Sequence, residues 1–204
     1  MKIWRDLKVS KIEDANVIIA SVSSDRAASV GKGARKAPKR IRKLSWFLPP
    51  YTKEGISIKN LKVFDSGDIG RQYTAHHIIE KRAEELFEHE KFNLFLGGDH
   101  AISIPLEKAF LEYCKKNKKT PAIIHIDAHP DFCDIYQNSK TSHACTNARA
   151  VDNGYNYKDI VLLGIRGFEE EEISLLSNQP EITIVRADQL KDYDFSIFKK
   201  KFDD

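Results

Sequence analysis

Cysteine is scarce in this sequence, and its distribution argues against two kinds of site. The three residues, Cys114, Cys133 and Cys145, are odd in number and include no Cys-x-x-Cys pair. A disulfide framework and a cysteine-based zinc site are therefore both disfavoured. The expected compartment is the reducing cytoplasm.

Long apolar runs and a strong net charge are also missing. No run approaches the roughly 18 residues of a membrane helix, and residues 1–6 lack the apolar core of a signal peptide. The 33 basic residues nearly balance the 30 acidic ones, so net charge indicates no particular partner. A chain of 204 residues is long enough to bury a core, and we predict a single domain over residues 1–204 with no membrane contact.

Short apolar runs alternate with segments of helical spacing along the whole chain. Strands are predicted at residues 16–20, 61–65, 93–96, 122–126, 160–163 and 182–185. Helices are predicted at residues 73–91, 103–116 and 169–176, with a further helical spacing at Phe195, Phe198 and Phe202. Residues 21–37 and 134–153 lack periodicity and are predicted to be loops. The alternation predicts an α/β fold of three α-β-α layers, with a mostly parallel sheet covered on both faces.

Side chains of the metal-ligand type follow the fourth predicted strand. Asp127, His129 and Asp131 are spaced two apart, so in an extended segment they would point to the same side. Two carboxylates are costly to bring together without a cation. His125 shares this spacing, but we predict that it is a buried structural histidine.

The third predicted strand ends in a similar motif, Gly97-Gly98-Asp99-His100. Ligands collect at the carboxyl ends of parallel strands, so the two motifs are predicted to meet there. Asp99 is interpreted as a helix cap and His100 as a ligand. Aspartate and histidine suit a divalent ion such as manganese, and the number of ligands indicates a two-metal hydrolytic site.

Five segments in order resemble motifs of the ureohydrolases, the family of arginase, agmatinase and formiminoglutamase. The resemblance extends over roughly residues 15 to 190. The segments are Gly31 to Arg42, Asp65 to Ile69, Gly97 to Ser103, Asp127 to Asp131, and Leu163 to Gly167.

The resemblance implies an arginase-like fold and a binuclear manganese hydrolase. Carried over by position, His100 and Asp131 would bind one Mn²⁺, His129 would bind the other, and Asp127 would bridge both. His143 matches the family's proton shuttle. The implied reaction is attack of hydroxide on the carbon of a guanidino or formimino group; a guanidino substrate would release urea and an amine. An agmatinase-like activity is preferred, in a homo-oligomer that is a trimer or a hexamer by analogy.

Two features depart from the family pattern. Ala144 follows His143 where a glycine is usual. The Ser-x-Asp-x-Asp signature, which supplies two further aspartate ligands, has no counterpart in these 204 residues. We therefore expect a family member that lacks its C-terminal third. The alternative is a truncated or degenerate member without activity, kept as a structural subunit or remnant.

A basic cluster between Lys32 and Lys43 raises a nucleic-acid alternative. It lacks interleaved stacking aromatics, and the family resemblance already accounts for Arg35 and Arg42. We therefore predict a small guanidino substrate as the partner and no nucleic acid.

Overall fold

The computed structural model describes residues 2–196 and 198. Its strands are parallel wherever they pair. In chain order the strands are β1 (Val17–Ser23), β2 (Val63–Arg71), β3 (Phe92–Gly97), β4 (Ile123–Ile126), β5 (Ile160–Ile165) and β6 (Thr183–Arg186). The α-helices are α1 (Ala37–Ser45), α2 (His76–Phe87), α3 (Ser103–Lys116), α4 (Thr146–Asn153) and α5 (Glu170–Ser177). The predicted α/β class with a parallel sheet arrangement is confirmed.

The strands divide into two three-stranded sheets, whereas the sequence suggested one. The first has the order β2-β1-β3 and the second the order β4-β5-β6. β1 and β5 are the central strands, and both are mostly apolar and buried because they are covered on both faces. Among the described residues, β3 and β4 each pair along one edge only.

The predicted cover on both faces is incomplete at these two strands. Phe92 and Leu94 alternate on one side of β3, and Ile124 and Ile126 alternate on one side of β4. All four side chains are exposed, Ile126 by 77%. Parallel sheets normally bury such apolar faces, so this part of the fold has an uncovered surface.

Element boundaries differ from the predictions mainly where the sequence is polar. β2 continues to Arg71, and α2 is shorter than the predicted helix over residues 73–91. α1 was not predicted, although Pro38 suits its first turn. α4 lies inside the predicted loop over residues 134–153. The predicted helical spacing through Phe202 reaches beyond the described residues.

The two largest apolar clusters among the described residues support the sheets. One surrounds Ile18, Val22 and Ile79 between the first sheet and helices α2 and α3. The other surrounds Leu111 and Leu162 beneath the second sheet. No helix in the described part of the chain is long and apolar enough to cross a membrane.

Basic residues from the cluster between Lys32 and Lys43 are partly used inside the fold. Arg42 is buried on α1 and pairs with Asp65 of β2, with 2.8 Å between Nε and Oδ2. Arg35 pairs with the buried Asp25 at 3.1 Å. The first pair ties α1 to the first sheet, and the second closes the loop after β1 on itself. Both uses weaken the nucleic-acid alternative.

Candidate metal centre

Four side chains converge where β3 and β4 end. One possible ligand atom from each of His100, His125, Asp127 and Asp131 lies within 4.8 Å of all the others. Nε2 of His100 is 3.2 Å from Oδ2 of Asp131, and Nε2 of His125 is 3.6 Å from the same oxygen. The structure thus brings together three of the four predicted metal residues, plus His125.

His100 follows β3 at a point where the backbone packs closely against the loop after β1. A Cβ at Gly98 would collide with the carbonyl oxygen of Ser24, so only glycine fits there. Asp99 accepts hydrogen bonds from the N–H groups of Ala101 and Ala27, both at 2.9 Å. It therefore caps the short 3₁₀ helix that begins at His100, in agreement with the sequence interpretation.

The turn after β4 holds Asp131 in a strained conformation. Its φ is +54°, a left-handed value that non-glycine residues rarely adopt. The carbonyl of Asp131 accepts the N–H of Asn147 at 3.0 Å. The N–H of the next residue, Phe132, donates to Oε1 of Glu172 at 2.8 Å. These contacts fix an otherwise unfavourable turn, which is a common property of functional sites.

His129 lies outside the four-residue group. Its backbone N–H donates to Oδ1 of Asp127 at 3.0 Å, so the chain turns at this point instead of staying extended. Its side chain is 63% exposed, with Nδ1 3.6 Å from Oδ1 of Asp127. His129 is therefore next to Asp127 but on the open side of the cluster.

His125 is buried, as the sequence suggested, but it also contacts the site. Its Nε2 is 3.0 Å from the carbonyl oxygen of His129, so it supports the turn that carries Asp131. Its ring packs beside that of His100, with 5.1 Å between centroids. Because Nε2 already has this carbonyl partner, His125 acts here as a support for the turn.

Electrostatics in the group favour a bound cation. Burial alone would lower the pKa of His100, but the hydrogen bond to Asp131 and its charge outweigh burial and raise it. Burial lowers the pKa of His125 despite the nearby Asp131. Burial would raise the pKa of Asp127, but hydrogen bonds from the His129 and Ala128 backbone and the neighbouring histidines lower it. Asp127 is thus kept ionised.

The donor set fits a divalent metal ion. Neighbouring ligand atoms around an ion with bonds of about 2.1 Å are separated by roughly 3.0 to 3.5 Å. The distance of 3.2 Å between His100 and Asp131 fits this spacing. Imidazole and carboxylate ligands together suit zinc, iron or manganese.

His143, the predicted proton shuttle, lies on the loop side of the centre. Its Nδ1 is 2.8 Å from the carbonyl oxygen of Ala27, and its Nε2 is 3.3 Å from Oγ of Ser29. The ring of Tyr136 meets it edge-on at 5.4 Å. It is therefore held by the segment after β1 and is not a member of the metal-ligand group.

Two acidic residues near the centre were not singled out from the sequence. Glu172 appeared as one of four consecutive glutamates, which usually indicate a solvated helix start, yet it is buried and holds the turn after Asp131. Nothing in the sequence marked Glu107 as a site residue, apart from its position one helical turn after Ser103. Its Oε2 atom is buried and has no hydrogen-bond partner among the described residues.

Known proteins resemble this chain over nearly its whole length. Residues 15–204 match the model of the arginase family. An agmatinase from Bacillus cereus is 34% identical over 167 residues, which are 78% of this chain and 55% of that protein. An agmatinase from Pyrococcus horikoshii is 30% identical over 199 residues, which are 95% of this chain and 65% of that protein.

The fold comparison agrees. The crystal structure of the agmatine ureohydrolase of Thermoplasma volcanium matches with a TM-score of 0.81 at 24% identity, covering 100% of this chain and 67% of that one. The chain spans 55% and 65% of the lengths of the two agmatinases that it matches. Because the family model matches residues 15–204, the chain belongs to the arginase family.

Proposed function

We propose that this chain carries the metal-binding part of a metal-dependent hydrolase that cleaves a guanidino compound into urea and an amine. The observation that carries the proposal is the convergence of His100, Asp127 and Asp131 at the ends of β3 and β4. Family membership and the ligand chemistry both support it.

The proposed centre holds two Mn²⁺ ions. His100 and Asp131 would bind one ion, His129 the other, and Asp127 would bridge them. His129 is exposed beside Asp127, so its imidazole is accessible to a second ion. The ions would supply a nucleophile from water at neutral pH and a Lewis acid for the guanidinium group.

The chain's own residues would orient the reactants and move the proton. If Nδ1 of His143 donates to the Ala27 carbonyl, Nε2 is left as a proton acceptor. Nε2 would take up a proton and pass it to the departing amine, which must be protonated to leave. Ser29 Oγ, 3.3 Å from Nε2, holds the ring in that orientation.

The competing proposal is a degenerate family member that binds metal weakly and does not turn over. It rests on the ligand count, because the described residues offer three predicted ligands in one group and His129 at its edge. A homo-oligomer and a cytoplasmic location remain predictions.

Metal loading separates the two proposals. The protein would be stripped with a chelator, reloaded with Mn²⁺, and assayed for metal per chain and for urea release from guanidino substrates. We expect His100→Asn to weaken Mn²⁺ binding at least about tenfold, because it removes a ligand. His77→Asn, an exposed histidine on α2, is the matched control and should bind as the parent does.

Two ions per chain with urea release would support the hydrolase. One ion or none, with no urea from any substrate, would favour the degenerate member. Unchanged metal binding in His100→Asn would refute the assignment of the centre itself.

A further inference from the structure

α1 buries a charged side chain and leaves apolar ones exposed. Arg42 lies on its inner side, where it pairs with Asp65 at 2.8 Å. Four large apolar side chains on α1 and directly after it are between 42% and 68% exposed; they are Ile41, Leu44, Phe47 and Leu48. Single exposed apolar residues are common, but a group of them marks a candidate contact surface.

The same stretch carries basic side chains that the fold does not use. Each is exposed and forms no ion pair with any residue that the structure describes; they are Lys36, Lys39, Arg40 and Lys43. No acidic residue occurs between Lys36 and Leu48. These basic residues and the four apolar ones together are called the α1 surface below. Its charge is positive throughout.

The start of α5 carries charge of the opposite sign. Glu169, Glu170 and Glu171 are exposed, and none of them forms an ion pair within the part of the chain that the structure describes. Negative charge is favourable at a helix start. Here, however, three carboxylates lie together without a cationic partner from the described side chains. Ile173, which follows on the same helix, is 56% exposed.

A cavity of about 560 Å³ opens beside these carboxylates. Its lining combines the three glutamates with Ile135, Tyr136 and Ser174, among others. Ile135 is 52% exposed, so the cavity has an apolar wall next to the acidic one. Lysine and arginine side chains have an aliphatic stem and a charged end, so they fit such a cavity. The cavity, the three glutamates and Ile173 together are called the α5 surface.

We propose that the α1 surface of one chain docks on the α5 surface of a second copy of the chain. Opposite charges set the orientation, with the basic residues of α1 facing Glu170 and Glu171. The exposed apolar residues of both surfaces pack beside these charges. Both surfaces are exposed within one chain, so neither covers the other there. Each surface therefore finds its complement on another chain.

The proposed contact is head-to-tail, because it joins two different surfaces. Such contacts close into a ring when the rotation between chains allows it, and a cyclic trimer contains only contacts of this kind. The trimer expected from the sequence is thus one assembly that this contact can build. The exposed faces of β3 and β4 form a separate, apolar surface.

Charge reversal on either surface tests the contact. Lys43→Glu and Glu170→Lys should each weaken self-association at least about tenfold in sedimentation velocity at low salt, because each places like charges opposite one another. Raising NaCl from about 0.05 to about 0.5 M should weaken the association of the parent chain, since salt screens exposed charges. Thermal melts would verify that both variants are folded.

Mixing the two variants tests the pairing of the surfaces. Lys43→Glu retains the parent α5 surface and Glu170→Lys retains the parent α1 surface, so one complementary pair is intact in the mixture. We expect mixed complexes, detected with a fluorescent label on one variant, to form at least about tenfold more tightly than either variant associates alone. Association through β3 and β4 would be the same in each variant and in the mixture.

Matched controls lie on α2. Lys81 and Glu85 are exposed and form no ion pair with a described residue. Lys81→Glu and Glu85→Lys make the same charge changes as the test variants, away from both surfaces. Neither should alter self-association, and mixing them should produce no gain.

Three results would overturn the proposal. One is self-association that both reversals leave unchanged, or that shows no gain when the variants are mixed. Another is a parent chain that stays monomeric at every concentration. The third is a monomer that binds a short DNA duplex and loses this binding in Lys43→Glu, because the α1 surface would then serve nucleic acid and not a second copy.

Discussion

The carboxyl group of Glu107 lies in the interior of the fold. Its Oε2 atom has no hydrogen-bond partner among the described residues. Burial raises its pKa from 4.5 to about 8, against the opposing charge of His100. Between these two values the folded protein keeps a proton that the unfolded chain releases. The contribution of this group to stability is therefore complete below pH 4.5 and is lost as pH rises through about 8.

Replacing Glu107 with glutamine should remove this pH dependence. Glutamine mimics the protonated carboxyl group, so Glu107→Gln should gain stability relative to the parent between pH 5 and pH 8 by at least about 1 kcal/mol. Urea unfolding in the presence of a chelator would measure it. Glu112→Gln, on the more exposed part of the same helix, is the control. Parallel pH profiles for parent and Glu107→Gln would contradict the prediction.

The two-residue spacing of Asp127, His129 and Asp131 predicts that their side chains share one side only if the backbone stays extended. β4 ends at Ile126, and the backbone N–H of His129 turns back onto Asp127. The two-residue alternation fails from that point, because it holds only for extended backbone. Asp131 nevertheless joins the group, since its left-handed conformation redirects the side chain. No sequence pattern specified that turn.

At the scale of elements, α5 positions the metal turn from a distance in sequence. Glu172 completes a capping box with Glu169 and also accepts the N–H of Phe132 at 2.8 Å. Phe132 directly follows Asp131, so one buried carboxylate joins the start of α5 to the metal turn. The residue that caps α5 therefore also holds the turn that positions Asp131.

Glu172→Gln should damage both stability and metal binding. The amide replaces one of two acceptor oxygens with a donor, which leaves one buried N–H without a partner and costs about 1–3 kcal/mol. Looser support of Asp131 should weaken Mn²⁺ binding roughly tenfold. Glu170→Gln, exposed in the same first turn, should change neither quantity. Loss of stability with unchanged Mn²⁺ affinity would show that Glu172 does not position the site.

Sequence alone predicted the strands better than the short helices. β1 and β5 are apolar and mostly buried, so their composition identifies them whatever surrounds them. α1 and α4 are short and polar, with few apolar positions to give a helical period. Both depend on tertiary contacts, such as the buried Arg42 of α1 and the buried Asn147 of α4, which no local pattern reveals.

At the scale of the whole molecule, the division into two sheets leaves apolar surface open to solvent. Phe92 on β3 is 69% exposed and Ile124 on β4 is 50% exposed, and each strand pairs along one edge only among the residues that the structure describes. The division could not be predicted from the sequence, because apolar strands predict pairing but do not specify their neighbours. Open edges with apolar faces favour association with another chain.

We therefore expect the isolated chain to self-associate through this surface. Size-exclusion chromatography with light scattering should give an apparent mass that rises with protein concentration. The double variant Phe92→Lys, Ile124→Lys should shift the chain towards monomer, because charge on an open strand opposes edge pairing. Val30→Lys makes the same kind of change at an isolated apolar residue that is 94% exposed, and it should leave association unchanged. A parent chain that stays monomeric at every concentration would mean that the exposed faces of β3 and β4 do not drive association.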